Sequence, residues 1–396
     1  MQQNQGRTKR KAAALLEVLA VSTKLGLTSF GGPIAHLGYF HNEYIQKRKW
    51  LDERSYADLV ALCQFLPGPA SSQVGIGIGT MRAGLLGGVL AWIGFTMPSI
   101  LFMVAFAYLL KGFNIANSGW IHGLKIVAVA IVAHAVLTMG QKLANDKIKG
   151  TIAIIAAAVV LAWQSPYSQV AVILASGLIG LLIYKDVKIP ETESSKVKLN
   201  KHFSLFCISL FFALLVVAPV VRDFIPGFSI QIFDSFYRSG SLVFGGGHVV
   251  LPLLEMETVP TGWVSQQDFM AGYGATQAVP GPLFTFSAYL GAMANGIPGA
   301  VVATFGVFLP SFLLVIGALP FWNKLRRNHR IQGALISINA AVVGILLAAL
   351  FNPLWITAIK SSVDFVLAAI LFGMLIFWKL PPWMIVIAGV LGGILL

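Results

Sequence analysis

Two proline-glycine-proline breaks decide how this chain folds: Gln64-Phe65-Leu66-Pro67-Gly68-Pro69 and Gln277-Ala278-Val279-Pro280-Gly281-Pro282. Each lies between two apolar stretches of about a dozen residues, which are too short to cross a bilayer singly. Because proline lacks a backbone donor and collides with the preceding turn, no continuous helix runs through either break. In lipid, an interrupted backbone persists only where protein buries it or where it lines a watery cavity. The breaks therefore predict two hairpin tips that form the floor of a transport site.

The composition is that of a polytopic membrane protein. Of 396 residues, 57% are hydrophobic and 11% charged, and apolar runs recur along nearly the whole length, so no separate soluble domain fits. The net charge is +13, but Lys and Arg concentrate in the loops between apolar runs. That pattern fits the positive-inside bias and argues against a nucleic-acid partner. Cys63 and Cys207 stand alone in apolar runs and are interpreted as packing residues.

No sequence motif for covalent chemistry stands out. The chain has no nucleotide-binding loop, no zinc-ligand spacing and no serine-histidine-aspartate arrangement. The sequence therefore predicts neither an enzyme nor a bound cofactor or metal.

The chain also matches itself, at a shift that drifts from 214 to 210 residues. The ordered matches are Phe30-Gly31-Gly32 with Phe244-Gly245-Gly246, Trp50 with Trp263, the two breaks with each other, Gly94, Pro98 and Ser99 with Gly306, Pro310 and Ser311, and Gly123 with Gly333. Matches in the same order predict an internal duplication.

The loop charges predict that the two halves are inverted relative to each other. Lys47-Arg48-Lys49 and the basic N-terminus should face the cytoplasm, whereas the uncharged segment 113–119 should face outward. In the second half the charges are exchanged. The counterpart of the Lys47 loop carries Glu255 and Glu257, and the counterpart of the uncharged segment is the basic stretch 324–330.

These assignments predict an all-α polytopic membrane protein with two inverted-topology repeats, each combining re-entrant or broken helix hairpins with transmembrane helices. Residues 12–184 form the first repeat, 185–228 a basic cytoplasmic linker with an extra inverting helix, and 229–396 the second repeat. Hairpins are predicted at 12–45, 55–81, 229–258 and 266–294, and crossings at 84–110, 120–142, 149–164, 168–184, 202–221, 297–320, 330–351, 361–379 and 381–396. A long, tilted and kinked helix is the alternative to each re-entrant hairpin.

Inverted halves with broken helices are typical of secondary transporters, whose sites lie near the midplane between the repeats. At a hairpin tip the second half-helix begins with unpaired N–H groups, which suit an anion. Ser72 and Thr285 match in the repeat and place a hydroxyl in each first turn, although each could simply satisfy the local backbone. The predicted substrate-binding groups at the tips are Gly31, Gly32, Pro67, Gly68, Pro69, Ser71 and Ser72, with Gly245, Gly246, Gly247, Pro280, Gly281, Pro282 and Thr285.

Charged groups within the apolar helices complete the predicted site. Lys24 and Arg238 match at a shift of 214, six residues before each Phe-Gly-Gly, and could each present one positive charge to an anion. Snorkelling to the membrane surface is the alternative. On the first interpretation, Lys24→Ala and Arg238→Ala each abolish transport while the protein still reaches the membrane. The candidate proton carriers are Glu17, His36, Glu43, His248, Glu255 and Asp268, although such a histidine often makes only a structural hydrogen bond.

The motifs around both breaks resemble one known family. Residues 29–37 (SFGGPIAHL), Trp50-Leu51 and the first break are similar to the first domain of the chromate ion transporter family, and residues 243–251 (VFGGGHVVL) with the second break are similar to its second domain. The resemblance covers about residues 12–396 and indicates the two-domain long-chain form. It implies halves of opposite orientation and a plasma-membrane transporter that exports chromate and confers chromate resistance.

The expected mechanism is alternating access, with proton coupling as an open option. A sulfate or other oxyanion carrier is the main alternative, because sulfate shares the charge and shape of chromate. An anion channel and a membrane scaffold are the alternatives from other classes. The expected partners are chromate or a related oxyanion and the lipid bilayer, and a homodimer is compatible with such a chain.

Overall fold

The computed structural model describes residues 2–113, 118–184, 200–225, 227–326 and 328–395. Within these residues the chain forms helices and connecting segments without a strand. Most of the predicted basic linker (185–199) and part of the uncharged segment (114–117) lie outside the described residues. The protein is an all-α polytopic membrane protein.

The first half contains eight helices among its described residues. They are α1 (Gln2–Thr28), α2 (Gly32–Phe40, continued by a π-helical stretch His41–Lys47), α3 (Glu53–Phe65), α4 (Ala70–Ala83), α5 (Leu85–Phe113), α6 (Gly119–Leu143), α7 (Lys147–Ala162) and α8 (Pro166–Ile183). Helix α9 (Lys201–Phe224) follows and separates the two halves.

The second half repeats the same order. Its helices are α10 (Phe228–Ser241), α11 (Val250–Thr258, preceded by a 3-10 turn Gly247–Val249), α12 (Gln266–Thr276), α13 (Phe286–Ala318, preceded by a 3-10 turn Leu283–Thr285), α14 (Trp322–Arg326), α15 (His329–Ala349), α16 (Ile356–Ala358), α17 (Ser362–Ile376) and α18 (Pro382–Leu395). Helix α13 is bent at Asn295–Gly296, where the backbone leaves helical geometry. Gly84 lies at the matching junction between α4 and α5, and both glycines have positive φ. Helix α13 thus corresponds to α4 and α5 together.

Helices α3 and α4 form a hairpin whose two ends lie on one face of the protein. Arg48, before α3, and Arg82, at the end of α4, both bind Glu17, at 2.9 and 3.1 Å. Both guanidinium groups also lie over the ring of Trp50, at 5.8 and 5.3 Å from its centroid. Helix α3 has 13 residues, about 20 Å at 1.5 Å per residue, which is less than the hydrocarbon core. The hairpin therefore enters and leaves through the same face, called here the Arg82 face.

The opposite face shows that the halves are inverted. Helix α5 begins three residues after Arg82 and has 29 residues (Leu85–Phe113), so it is about 43 Å long and ends at the opposite face. Ser118 and His122 line one cavity together with Gln266, at the start of α12. Helix α12 matches α3 in the repeat, yet α3 begins on the Arg82 face. The equivalent helices therefore start on opposite faces, and the second face is called here the His122 face.

The last helices of each half pack on the other half. Helices α7 and α8 pack on α15, and α17 and α18 pack on α6. Small residues permit the close approach: a Cβ on Gly123 would collide with the backbone of Gly389 in α18, and a Cβ on Gly333 would lie 2.5 Å from the carbonyl oxygen of Tyr184 at the end of α8. Such small-residue contacts are typical of helix pairs in membranes. This reciprocal exchange interlocks the two halves.

We expect Gly123→Val to destabilise the protein, because the new side chain would separate α6 from α18. Overpacking of this kind typically costs about 1–3 kcal/mol, and here the obstacle is backbone. Gly140→Val is the matched control on the same helix, since a Cβ there meets only Val343, at 3.9 Å. Thermal unfolding of the purified variants checks this expectation. Equal melting temperatures for the two variants would contradict it.

Five described helical segments are long and apolar enough to cross a membrane: 85–112, 119–143, 201–224, 283–321 and 329–358. Helices α7, α8, α17 and α18 are shorter, with 16, 18, 15 and 14 residues. They are roughly 21–27 Å long at 1.5 Å per residue, slightly less than the hydrocarbon core. Full crossings by these four helices stay a prediction.

Candidate functional site

Each proline-glycine-proline break is hydrogen-bonded to the glycine run of the other half. The Gly68 N–H donates to the Val243 carbonyl at 2.7 Å, and the Gly281 N–H donates to the Ser29 carbonyl at 2.9 Å. Gly68 matches Gly281 in the repeat, and Ser29 matches Val243, so the two bonds are related by the internal symmetry. The two residues joined by each bond are more than 170 positions apart in the chain. The four segments therefore meet between the halves.

Positive φ angles make glycine necessary at these positions. Gly68 and Gly281 have φ of +115° and +101°, a region that residues with a Cβ rarely adopt. A Cβ on Gly68 would lie 2.8 Å from both Ser311 Oγ and Gln73 Nε2, and one on Gly281 would collide with Ser99 Oγ. The tips are thus packed against polar side chains of both halves.

The glycine runs themselves also adopt left-handed backbone. Gly31, Gly32, Gly245 and Gly246 all have positive φ. Gly247 lies against Pro33 and against Leu283, which follows the second break. The structure therefore brings together the predicted tip residues of both repeats.

Ser99 and Ser311 are site residues that the sequence reasoning matched but did not assign. Each follows a proline inside a long helix, Pro98 in α5 and Pro310 in α13. Ser99 Oγ donates to the Pro280 carbonyl in the break of the other half. The repeat match was the signal that could have identified them, since proline and serine recur together beside the breaks.

His36, in α2, is 1% exposed and connects the first glycine run with the start of α4. Its Nε2 lies 3.1 Å from the Ser29 carbonyl and its Nδ1 lies 3.2 Å from Ser71 Oγ. Because a carbonyl only accepts, Nε2 carries the proton and Nδ1 of the neutral ring accepts from Ser71. Protonation of Nδ1 would reverse that second bond. The matching residue in the other half is Val250, so the repeat does not duplicate this histidine.

Three buried hydroxyls near the breaks have no hydrogen-bond partner among the described residues. Ser29, Ser72 and Ser311 are at most 1% exposed, and their Oγ atoms are unpaired. Thr285, the counterpart of Ser72, instead donates to the Pro282 carbonyl at 2.9 Å. Unpaired buried hydroxyls are costly unless a ligand accepts from them. They are donors available to an anion at the tips, beside the N-terminus of α4.

Lys24 and Arg238 form equivalent ion pairs rather than lying free. Lys24 Nζ is 3.5 Å from Glu43 Oε2. Arg238 bonds Glu257 at 2.7 Å and Asp234 at 2.9 Å. Glu43 matches Glu257 at the shift that relates the cations, so the pair itself is duplicated, which the sequence reasoning missed. Oxyanion binding by the two cations stays a prediction.

The environments of the two cations differ. The Lys24 side chain is 59% exposed and that of Arg238 is 16% exposed. Glu43 is additionally bound by Lys47 and Arg48, at 3.5 and 3.2 Å. Lys24 is therefore an exposed cation and one of three partners of the buried Glu43 carboxylate, whereas the mostly buried Arg238 holds two buried carboxylates together.

The remaining candidate proton carriers lie apart from the breaks or pair locally. His248 Nδ1 is 2.7 Å from the Tyr273 hydroxyl in α12. Glu255 is half-buried in α11, and its carboxylate makes no hydrogen bond or ion pair with another described residue. Proton transfer by these residues stays a prediction.

Comparisons with known proteins point to one family. The sequence profile described as "Chromate transporter" matches residues 16–181 and 230–394. The chain is 30% identical over 391 residues to the probable chromate transport protein of Synechococcus elongatus, covering 96% of this chain and 95% of that protein. It is 28% identical to the chromate transport protein of Pseudomonas aeruginosa, over 86% of this chain and 82% of that protein, and 26% identical to that of Cupriavidus metallidurans, over 96% and 92%. No solved structure matches the chain. The chain therefore belongs to the chromate transporter family.

Proposed function

We propose that this protein is a secondary transporter that exports chromate across the plasma membrane by alternating access and thereby confers chromate resistance. The observation that carries the proposal is the reciprocal pair of hydrogen bonds between each break and the other half's glycine run. Interrupted helices that meet between inverted repeats are where secondary transporters bind their substrates. The names of the relatives support chromate as the substrate.

The proposed site lies at the hairpin tips. A tetrahedral dianion would accept from the unpaired hydroxyls of Ser29, Ser72 and Ser311 and from backbone N–H groups at the start of α4. Lys24 could join it at little cost, because Glu43 would keep Lys47 and Arg48 as partners. Arg238 would first have to leave two carboxylates. The two cations are therefore unequal contributors in this proposal.

The bonds between the halves are suited to repeated exchange. Each backbone bond across the interface contributes about 0.5–1.5 kcal/mol net, so a substrate that replaces one can shift the equilibrium between conformations. Because α7, α8, α17 and α18 interlock the halves, we propose that the hairpins move against this scaffold.

The direction follows from charge. The positive-inside rule places the Arg82 face and the N-terminus in the cytoplasm. A cytoplasm-negative potential favours the exit of a dianion by about 2.3 kcal/mol per charge per 100 mV. Export therefore needs no coupling ion, and a proton that enters in exchange for the anion would add to the driving force.

Counterflow of radiolabelled chromate in proteoliposomes, with a pH gradient imposed and then dissipated, tests the function. A carrier shows transient accumulation of label, and unlabelled sulfate competes if the site takes other oxyanions. Single-channel currents without counterflow would favour an anion channel. Absence of both counterflow and currents would overturn the proposal.

We expect His36→Gln to lose stimulation by a pH gradient while keeping counterflow at equal pH. Glutamine can still bond the Ser29 carbonyl but does not titrate, so a proton carried by His36 would no longer be coupled. His41→Gln is the control, because His41 pairs with Glu53 on the surface. If a pH gradient stimulates His36→Gln as strongly as it does the unmodified protein, His36 carries no coupled proton.

A further inference from the structure

A cavity of about 400 Å³ opens at the His122 face, away from the tips. Its lining residues are Ser118, His122, Lys125, Gln266, Gln267, Thr357 and Lys360. Ser118, His122 and Lys125 follow one face of α6, as their spacing requires. The cavity thus lies between the first turns of α6 and α12 and the segment that joins α16 to α17.

Two lysines make this cavity electropositive. Lys125 is only 8% exposed, and neither its ammonium nor that of Lys360 makes a hydrogen bond or ion pair with another described residue. The two nearby carboxylates bond other groups and not the lysine ammonium groups. Asp364 lies 2.7 Å from His122 Nε2 and accepts the Lys360 and Ser361 N–H groups, and Asp268 accepts from the Ser265 hydroxyl. Lys360 repels Lys125 and the Asp268 carboxylate attracts it, and a buried ammonium that no carboxylate bonds is stabilised when an anion approaches it.

The helix ends add to this potential. Helices α6 and α12 both begin at the cavity, with Ser118 and Ser265 as their N-caps. Unpaired N–H groups and the positive ends of two helix dipoles are therefore near the lysines. The buried Lys125 and the two helix ends are independent features, and both favour an anion.

Helix α12 connects the cavity to the second break. The Leu124 carbonyl, next to Lys125, contacts Gly274 near the end of α12. Helix α12 begins at the cavity with Gln266 and ends at Thr276, next to the Gln277 that starts the second break. Its 11 residues span about 16 Å.

We propose that this cavity is an anion-binding vestibule that takes a small oxyanion dianion between the hairpin tips and the solution at the His122 face. The ligand class rests on the proposed function, whereas the electropositive site itself does not. The repeat does not duplicate the vestibule, because Leu335 and Gln332 occupy the positions of Lys125 and His122 in the other half. The vestibule therefore serves one face only, which suits release of an exported anion.

Thiol labelling tests the proposal without requiring transport. Thr357→Cys is introduced and the protein is placed in lipid nanodiscs. The rate at which the introduced thiol is modified is measured with two methanethiosulfonate reagents, the anionic sulfonatoethyl and the cationic trimethylammonium-ethyl compound. Each rate is divided by the rate of the same reagent with a free thiol in solution. We expect the anionic reagent to be favoured by at least roughly tenfold, and millimolar sulfate to slow its reaction. Sulfate is the probe because chromate would oxidise the thiol.

Variants identify the source of the preference. Lys125→Gln with Lys360→Gln should remove the preference and the protection by sulfate, whereas Lys125→Arg should keep both. Lys142→Gln, at the exposed other end of α6, is the matched control and should change nothing. Equal rates for the two reagents, or a preference that survives the double substitution, would overturn the proposal. Loss of counterflow with an intact preference would instead count against the proposed transport function alone.

Discussion

We expect Gly68→Ala and Gly281→Ala each to reduce chromate counterflow to the level of empty liposomes. Both glycines have positive φ, which costs other residues about 1–2 kcal/mol. The added methyl group would also displace Ser311 and Gln73 at one tip, and Ser99 at the other. Because Ser99 and Ser311 belong to the opposite half, the substitution disturbs the interface between the repeats. The matched effect at two sites is the consequence of the internal symmetry.

Gly84→Ala separates strain from packing in this experiment. Gly84 has φ of +77°, and a Cβ there meets nothing within 4 Å. It should therefore show the cost of backbone strain alone and retain most of the activity. If Gly68→Ala behaves like Gly84→Ala in counterflow, the tip contacts are not needed for transport, and the proposed site is wrong.

Local chemistry made much of the fold predictable from the sequence. Proline and glycine mark the breaks whatever the tertiary context, since they act on their own backbone. The internal duplication places each motif in the chain twice, so the assignment of Gly31 to a hairpin tip is supported by the matching Gly245. The inverted halves followed from loop charge, and the structure shows α3 and α12 starting on opposite faces.

Contacts between the halves were not predictable in the same way. The Ser29 backbone carbonyl accepts a hydrogen bond from the Gly281 N–H. Every residue has a backbone carbonyl, so such a bond does not require a particular residue type that the sequence would show. The packing of α18 on α6 depends on which surfaces remain after the hairpins have folded, and a short apolar helix fits many partners. The ion pairs were accessible, because Glu43 and Glu257 match at the same shift as Lys24 and Arg238. Glu43, however, was considered only as a proton carrier, and Glu257 only as a loop charge.

We expect Arg238→Ala to destabilise the protein by about 3–5 kcal/mol, because it leaves buried carboxylates without their main partner. The Asp234 and Glu257 side chains are 1% and 11% exposed, and Arg222 also reaches Asp234, at 3.1 Å. Lys24→Ala should cost at most about 1 kcal/mol, because Lys24 is exposed and the buried Glu43 keeps Lys47 and Arg48 as partners. Unfolding is measured with a thiol-reactive dye, since Cys63 and Cys207 are both buried. Equal melting temperatures for Arg238→Ala and Lys24→Ala would contradict this assignment.

A neutral replacement of the whole cluster separates folding from substrate binding. In Asp234→Asn, Arg238→Gln, Glu257→Gln the buried charges disappear together, so stability should return towards that of the unmodified protein. If Arg238 also binds the oxyanion, this stable variant remains unable to accumulate chromate. If Arg238 only balances its two carboxylates, counterflow returns with the fold.

The same kind of neutral replacement at the first-half pair, Lys24→Gln with Glu43→Gln, then shows whether the exposed lysine carries the charge that a dianion requires. Because Lys24 is the cation that can leave its partner at low cost, we expect the second-half variant to regain counterflow and the first-half variant to lose it.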